Sequence, residues 1–510
     1  MYLRITTLLL IIGAVSLKAQ LTAQEAVKGM ARGINIGNTM EPPDGEGTWN
    51  NPPLQQRAFD DYKNAGFTAI RIPITWDKHT STTSPYKVDS TWMNRVEQVV
   101  DWGLERKLFI IINAHHEAWL KDSTTPANIA RFDSIWSQIA ERFKNKSDSL
   151  IFEILNEPYP MSAKNVNMLN AQVLKIIRQT NPTRIVSFSG YMWSNSDQLV
   201  TAAIPDTSDK YLIGYYHSYD PYPFGLNGGD TTNSVIFSVI KGKFDQVTAW
   251  SKKTGIPVIL GEFGFTKSCA YNPRMYAYAT VMDQALQHGV PAFVWDDGGN
   301  FGIYNRTTGG FNEIKDILIY TYPESPNGLK ISQPNGSSVL LQWQNRNTES
   351  DSITIQRKTG SGSFIDYSEV APGISQFIDS SISLQTSYYY RLKVIMKDST
   401  VLESYPIMIN TTSTSVEQSN QTPMRFELYN NYPNPFNPAT TISYSISKAS
   451  FVTLKIYDLL GREIATLVNG EKPAGYYKIE FNAGKLASGV YLYRMEANNF
   501  SETKKFILMK

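Results

Sequence analysis

Two glutamates sit just past apolar runs: Glu157 beyond Leu150–Leu155 and Glu262 beyond Pro257–Leu260. A pair of carboxyls suits cleavage of a glycosidic bond, one protonating the leaving oxygen while the other meets the developing oxocarbenium ion. Held about 5–5.5 Å apart they act as acid/base and nucleophile with retention of configuration; wider spacing admits water and inverts it. A neighbouring carboxylate also raises the acid's pKa and keeps it protonated until needed. Other polar and aromatic groups close similar runs: Arg71, His115-His116, Asn156, His217, Tyr219 and Trp295. Three of only five histidines fall at such ends. Each residue alone has a plainer use. Either glutamate could be a buried partner of Arg71, the histidines could simply be hydrogen-bonded, and Trp76 and Trp295 could fill core. Metal hydrolysis needs three convergent ligands, and Glu157 is followed by Pro158 rather than set on a helix with a histidine at i+4. Neither a metal nor another cofactor is expected.

The elements that must position these groups follow from periodicity. Eight apolar runs lie between Thr22 and Tyr322: Gly33–Asn38, Ala69–Ile74, Leu108–Ala114, Leu150–Leu155, Arg184–Phe188, Leu212–Tyr216, Pro257–Leu260 and Pro291–Trp295. Amphipathic stretches such as Ser90–Glu105, Asn128–Phe143 and Asn165–Gln179 separate them. Continuously apolar strands alternating with helices should be parallel and covered on both faces. Eight of them in about 300 residues predict an α/β fold, a closed (β/α)8 TIM barrel whose chemistry gathers at the C-terminal strand ends. An open doubly wound sheet is the alternative, but no Gly-rich phosphate loop follows the first run. Polar groups at six of the eight run ends favour a site there.

With those residues in order, the chain resembles glycoside hydrolase family 5, and within it the bacterial endo-β-1,4-glucanase branch. The motifs are Ile154-Leu-Asn-Glu-Pro158, Ile259-Leu-Gly-Glu-Phe-Gly264 and Gly33-Ile-Asn-Ile-Gly-Asn-Thr-Met-Glu41, together with Arg71, His115-His116, His217-Ser-Tyr219 and Trp295. The resemblance covers about 25–322. It implies a retaining double displacement on a β-glucan, with Glu157 as acid/base and Glu262 as nucleophile. Arg71 and Tyr219 would hydrogen-bond Glu262, and His217 would sit beside Glu157. Asn156 would hold the 2-hydroxyl of the sugar, His115 and His116 would touch the same sugar, and Trp295 would lie beneath it. Asn38 and Glu41 would line the glycone side, while Trp193 would stack on the aglycone side. Two rivals remain open. One is a β-mannanase, xyloglucanase or mixed-substrate member; the other is a glycan-binding protein with a dead barrel, against which the intact glutamate pair argues.

The whole chain of 510 residues is too long for one core. It is 42% hydrophobic and 18% charged, which excludes a mainly disordered chain. A formal charge of +2 gives no field for nucleic acid. The single cysteine, Cys269, excludes intrachain disulfides and any Cys-rich metal site. Residues 1–19, with Arg4 before the apolar run Ile5–Val15 and Ala19 after it, read as a secretory signal peptide. No later stretch approaches about 20 consecutive apolar residues, so no transmembrane segment is expected in the mature chain. The catalytic barrel is placed at 22–325. Residues 326–412 alternate with period two and resemble a fibronectin type III module, read as a spacer, with a carbohydrate-binding module as the sharper alternative. Trp343 is expected to face its core. A polar linker covers 413–424. Residues 425–510, with Tyr429-Asn-Asn-Tyr-Pro-Asn-Pro-Phe-Asn-Pro438 and Leu486-Ala-Ser-Gly-Val-Tyr491, resemble the type A sorting domain of the type IX secretion system. Another glycan-binding sandwich is the competing reading of that segment. Two small all-β sandwiches therefore follow the barrel, and the implied partners are a β-glucan and the type IX machinery.

Overall fold

The computed structural model describes residues 20–335, 337–346, 350–412, 425–431 and 433–509. The expected signal peptide at 1–19 and the linker at 413–424 lie outside the described residues. Eight parallel strands close a barrel in chain order: β1 (Gly33–Asn35), β2 (Ala69–Ile72), β3 (Phe109–Asn113), β4 (Leu150–Glu153), β5 (Val186–Phe188), β6 (Leu212–Ser218), β7 (Val258–Phe263) and β8 (Ala292–Val294). β1 pairs β8 with Gly33 beside Phe293, which shuts the ring.

Side chains alternate across each strand, so every second residue points into the barrel. Ala69, Ile111, Ile151, Ile213, Ile259 and Phe293 form an apolar cluster of their own, joined by Ala23, Ala26, Val27 and Met30. The helix Ala23–Gly29, held by a Thr22–Glu25 capping box, thus packs with the barrel's own apolar layer. Two residues further along the strands the buried side chains are polar: Asn35, Arg71, Asn113, Glu153 and Tyr215. The outer strand faces pack against amphipathic helices, among them Ser90–Glu105, Pro126–Phe143 and Ala163–Thr180. Their N-caps are Asp89, Thr125 and Ser162, each accepting a backbone N–H from the first turn.

Several strands stop earlier than the apolar runs do. β1 ends at Asn35 and β4 at Glu153, and the chain then turns into loops that carry Asn38 at φ 54° and Glu157 at φ 39°. Glu262 lies inside β7, which extends three residues past the apolar run.

After the barrel come eight short strands: β9 (Asn327–Asn335), β10 (Ser338–Gln344), β11 (Ser350–Thr359), β12 (Ile365–Val370), β13 (Gln376–Asp379), β14 (Ser387–Met396), β15 (Val401–Glu403) and β16 (Ile407–Asn410). They form one sheet of β13-β10-β9 and one of β12-β11-β14-β15, with β16 on β14. Val339, Leu341 and Trp343 alternate inward, so Trp343 faces the core. Among the described residues the sandwich's most exposed large apolar side chains are aliphatic: Ile365, Ile374, Ile378, Leu384 and Ile395.

This sandwich and the barrel share one compact unit. Arg346 forks onto Asp283 at 3.1 and 3.2 Å. Asn272 exchanges two hydrogen bonds with the Met408 backbone, at 2.7 and 2.9 Å. Tyr276 packs edge-on against Tyr405, and Tyr271 against Tyr389. A chain cut after residue 325 leaves that barrel face bare. It should melt at least about 5 °C below residues 20–411, since a few kcal/mol shifts a domain of this size by that much. Thermal unfolding of the two truncations checks this; equal melting points would make the sandwich an independent spacer.

The tail unit is a second sandwich: β17 (Glu427–Leu428), β18 (Ala439–Ile446), β19 (Ser450–Tyr457), β20 (Glu463–Lys472), β21 (Gly475–Asn482), β22 (Gly489–Ala497) and β23 (Phe500–Leu508). Its sheets run β17-β18-β21 and β20-β19-β22-β23, and enclose Ile442, Tyr444, Leu454, Ile456, Tyr493, Met495 and Phe506. Among the described residues no helix is long and apolar enough to cross a membrane.

Candidate active site

The polar layer inside the barrel is organised by Arg71. This fully buried guanidinium forks onto Glu153, with Nε to Oε2 at 2.7 Å and Nη2 to Oε1 at 2.6 Å. It also donates to Glu262 Oε1 at 2.6 Å, Asn35 Oδ1 at 2.9 Å and Asn156 Oδ1 at 2.7 Å. Four elements, β1, β2, β4 and β7, thus converge on one planar cation. Arginine suits this because its fork satisfies several acceptors in fixed geometry. Asn113 donates to the same Glu153 at 2.8 Å.

Above this layer lies a cleft of about 760 Å³, lined by residues including Asn38, Trp49, His116, Asn156, Glu157, Trp193, His217, Tyr219, Glu262 and Trp295. Tyr219 donates its hydroxyl to Glu262 Oε2 at 2.8 Å, so both oxygens of Glu262 are held. His217 Nδ1 lies 2.9 Å from Glu157 Oε1 and 3.6 Å from Glu262 Oε2. Glu157, His217 and Glu262 each place one ligand atom within 4.8 Å of the other two, close enough that this trio could also hold a metal ion. Linear order did not reveal that convergence.

Burial is the largest influence on both carboxyls and pushes each upward. On Glu157, His217, Lys121 and Arg71 together outweigh it and hold the group below its ordinary value. On Glu262, burial and the charge of Glu157 outweigh His217, Arg71 and Tyr219 and hold the group above it. The two titrate as a unit, because ionising one opposes ionising the other. Glu157 is the more accessible partner, with a side chain 27% exposed against 5% for Glu262. Burial, with Lys121 nearby, lowers His116 to about 4, and His115 is lowered well below its ordinary value by the same cause, so both imidazoles are neutral near pH 7.

His115 lies parallel to Trp295 at 6.2 Å and edge-on to His116 at 4.5 Å. The Trp295 ring rests on Gly37, where a Cβ would fall 2.6 Å from the ring, so only glycine fits beneath this indole. Ten of the twelve expected site residues reach the cleft: Glu157, Glu262, Asn156, His115, His116, His217, Tyr219, Trp295, Asn38 and Trp193. Arg71 acts from below it.

Glu41 does not line the glycone side. It is fully buried, accepts the backbone N–H groups of Asn38 and Thr39, and burial pushes its carboxyl up to about 7. It shapes the loop that presents Asn38. Trp76 is core, its indole N–H bonded to the Asn113 carbonyl at 2.9 Å. Glu153 was not anticipated, although a carboxylate inside the apolar run Leu150–Leu155 demands a buried cation. Trp49, packed 5.7 Å from His116, was likewise missed.

The profile described as Cellulase (glycosyl hydrolase family 5) matches residues 31–300, and that of the Secretion system C-terminal sorting domain matches 430–509. Endoglucanase H of Acetivibrio thermocellus is 44% identical over 311 residues, covering 59% of this chain and 34% of that protein. The chain therefore spans about a third of that relative's length. Endoglucanase B of Clostridium cellulovorans is 32% identical over 321 residues, covering 56% of this chain and 72% of that protein. A tri-modular GH5 (subfamily 4) endo-β-1,4-glucanase from Bacillus licheniformis shares the fold at 24% identity, with a TM-score of 0.63 over 96% of this chain and all of that one. The sorting domain, of the type IX system, places the protein at the cell surface or outside the cell. With the family profile spanning more than half of the sequence and its carboxylate pair at the mouth of a closed barrel, the chain belongs to glycoside hydrolase family 5, the cellulase family.

Proposed function

We propose that this exported protein is an endo-acting β-1,4-glucanase that cleaves internal bonds of cellulose or related β-glucans with retention. One observation carries the reading: oxygens of Glu157 and Glu262 lie within 4.8 Å of each other at the C-terminal mouth. So close an approach favours the double-displacement geometry over the wider spacing of an inverting pair. The names of the endoglucanases it resembles support the substrate class.

Glu262 is the nucleophile. Its two oxygens are fixed by Arg71 and Tyr219, which keep a lone pair aimed at the anomeric carbon. Glu157 gives its proton to the leaving oxygen, then takes one from the water that releases the glycosyl ester. Of the pair, Glu262 is held above its ordinary value and Glu157 below it. A sugar seated over Glu157 strips its remaining water and raises its proton affinity, while Glu262 keeps its two donors, which favours Glu157 as the acid. Asn156 has its carbonyl oxygen on Arg71 Nη2, which turns the amide donor toward the 2-hydroxyl. Trp295 is the floor of the reacting sugar's site, and His115 and His116, both neutral, hydrogen-bond that sugar.

Trp49, beside His116 after β3, and Trp193, after β5, are two exposed indoles that line the cleft. Such a groove binds chain on both sides of the scissile bond, as internal cleavage requires. The type IX machinery would receive the tail sandwich as its export partner.

Residues 20–411 should lower the viscosity of carboxymethyl-cellulose and mixed-linkage β-glucan faster than reducing ends accumulate. Activity confined to mannan would keep the mechanism and change the substrate; silence on glucan, xyloglucan and glucomannan alike would sink the reading. Replacing Glu157 with glutamine removes protonation of the leaving group. The loss should be about 10²–10⁴-fold on cello-oligosaccharides but small for the first step on 2,4-dinitrophenyl β-cellobioside, whose leaving group needs no proton. Equal losses on both, measured by pre-steady-state release, would contradict the acid role.

A further inference from the structure

Met192, Trp193 and Ser194 form the loop after β5 with φ of 56°, 55° and 56°. Three successive non-glycine residues in the left-handed region are strained, and such backbone persists only where its surroundings over-determine it. Here they do. Asn195 donates from its backbone and from Nδ2 to the Met192 carbonyl, at 3.3 and 3.0 Å. The His217 N–H donates to the Ser194 carbonyl at 2.9 Å, and the buried Ser194 hydroxyl lies 3.4 Å from that of Tyr215. The turn is therefore pinned to β6, next to the imidazole that touches Glu157.

Its product is an exposed indole in a fixed place. Trp193 is 48% exposed and lines the cleft. Tyr159 is 44% exposed, does not line the cleft, and stacks on Trp193 at 4.0 Å and 22°. The tyrosine thus covers one face of the indole, and the indole itself lines the cleft. Tyr159 is itself tied to the acid/base, its N–H donating to the Glu157 carbonyl at 2.7 Å. Both rings lie on loops after β4 and β5, the Glu157 side of the cleft and so the side of the departing sugar.

We propose that Tyr159 is a positioning residue: with the strained turn 192–194 it fixes Trp193 as the platform for the leaving-group portion of a β-1,4-glucan. This rests on the glucanase reading. A rigid indole binds a sugar face without first losing the freedom of a mobile side chain. Without Tyr159 the ring gains solvent on both faces, and the strain of the turn can be relieved by letting the indole swing away.

Two substrates separate this role from a general structural one. Cellopentaose places sugars on both sides of the cleaved bond, whereas β-cellobiosyl fluoride has no leaving-group sugar. Tyr159→Ala should lose about tenfold in kcat/KM on cellopentaose, the scale of a lost aromatic stack, and stay within about twofold on the fluoride. Tyr159→Phe, which keeps the ring, should restore cellopentaose turnover. Trp193→Ala should show the same split, with a larger loss. Equal losses on both substrates, or no loss on cellopentaose, would overturn the proposal while leaving the glucanase reading standing. An unaltered chain inactive on both substrates would overturn the two together.

Discussion

Glu262→Gln is expected to leave a folded protein whose turnover of a β-1,4-glucan falls by at least about 10⁴-fold, the order seen when a covalent nucleophile is removed. The amide still accepts the Arg71 hydrogen bond, so the barrel's polar layer stays satisfied. It cannot form a glycosyl ester, and no other carboxylate can take over. Glu153 is 0% exposed and held by both nitrogens of the Arg71 fork, and Glu157 carries the opposite role. Reducing-end release by the purified variant, with its melting curve, checks this. Activity within tenfold of the unaltered chain would remove Glu262 from the mechanism.

Arg71→Met should produce the largest loss of stability of any single change in the barrel. Methionine fills much of the space but leaves Glu153 and Glu262 buried without their cation. Stranding one partner of a buried pair costs about 3–5 kcal/mol, or roughly 10 °C in melting temperature for a protein of this size. The pH dependence has a definite sign. Burial pushes Glu153 up, but Arg71 outweighs it and holds the carboxyl below its ordinary 4.5. A depressed carboxyl contributes stability that is present above pH 4.5 and is lost as pH falls through the lower folded value. The gap between unaltered and Arg71→Met proteins should therefore be widest near neutrality and narrow in acid. The double variant Arg71→Met/Glu153→Leu should recover much of the stability, since both members of the buried pair are gone, without recovering activity. Glu262 would keep Tyr219 but still lack its Arg71 donor. A gap that widens in acid would show that Glu153 is not held ionised by Arg71.

The barrel was legible because its strands are continuously apolar and its helices amphipathic, two periods that local sequence records directly. Ser90–Glu105 has the same bounds in sequence and structure. The site was legible because polar residues at strand ends have few structural uses. What did not show was depth. Period two inside β4 turns Glu153 into the buried polar layer, and the Leu150–Leu155 run hid that carboxylate among apolar neighbours. Glu41 carries the same chemistry as a cleft residue, yet its carboxylate turns back onto the N–H groups of Asn38 and Thr39. A three-residue separation cannot distinguish those outcomes. The seating of the sandwich on the barrel was equally hidden, because Arg346–Asp283 and Asn272–Met408 are 63 and 136 residues apart. Neither partner signals the other in linear order.

Time-resolved proton NMR of cellopentaose hydrolysis is the most direct test of the carboxylate pair as a retaining catalyst. The β-anomer of the new reducing end should appear first and mutarotate slowly to the α-anomer. Immediate appearance of the α-anomer would mean that water attacks directly, and Glu157 and Glu262 would not perform the double displacement assigned to them.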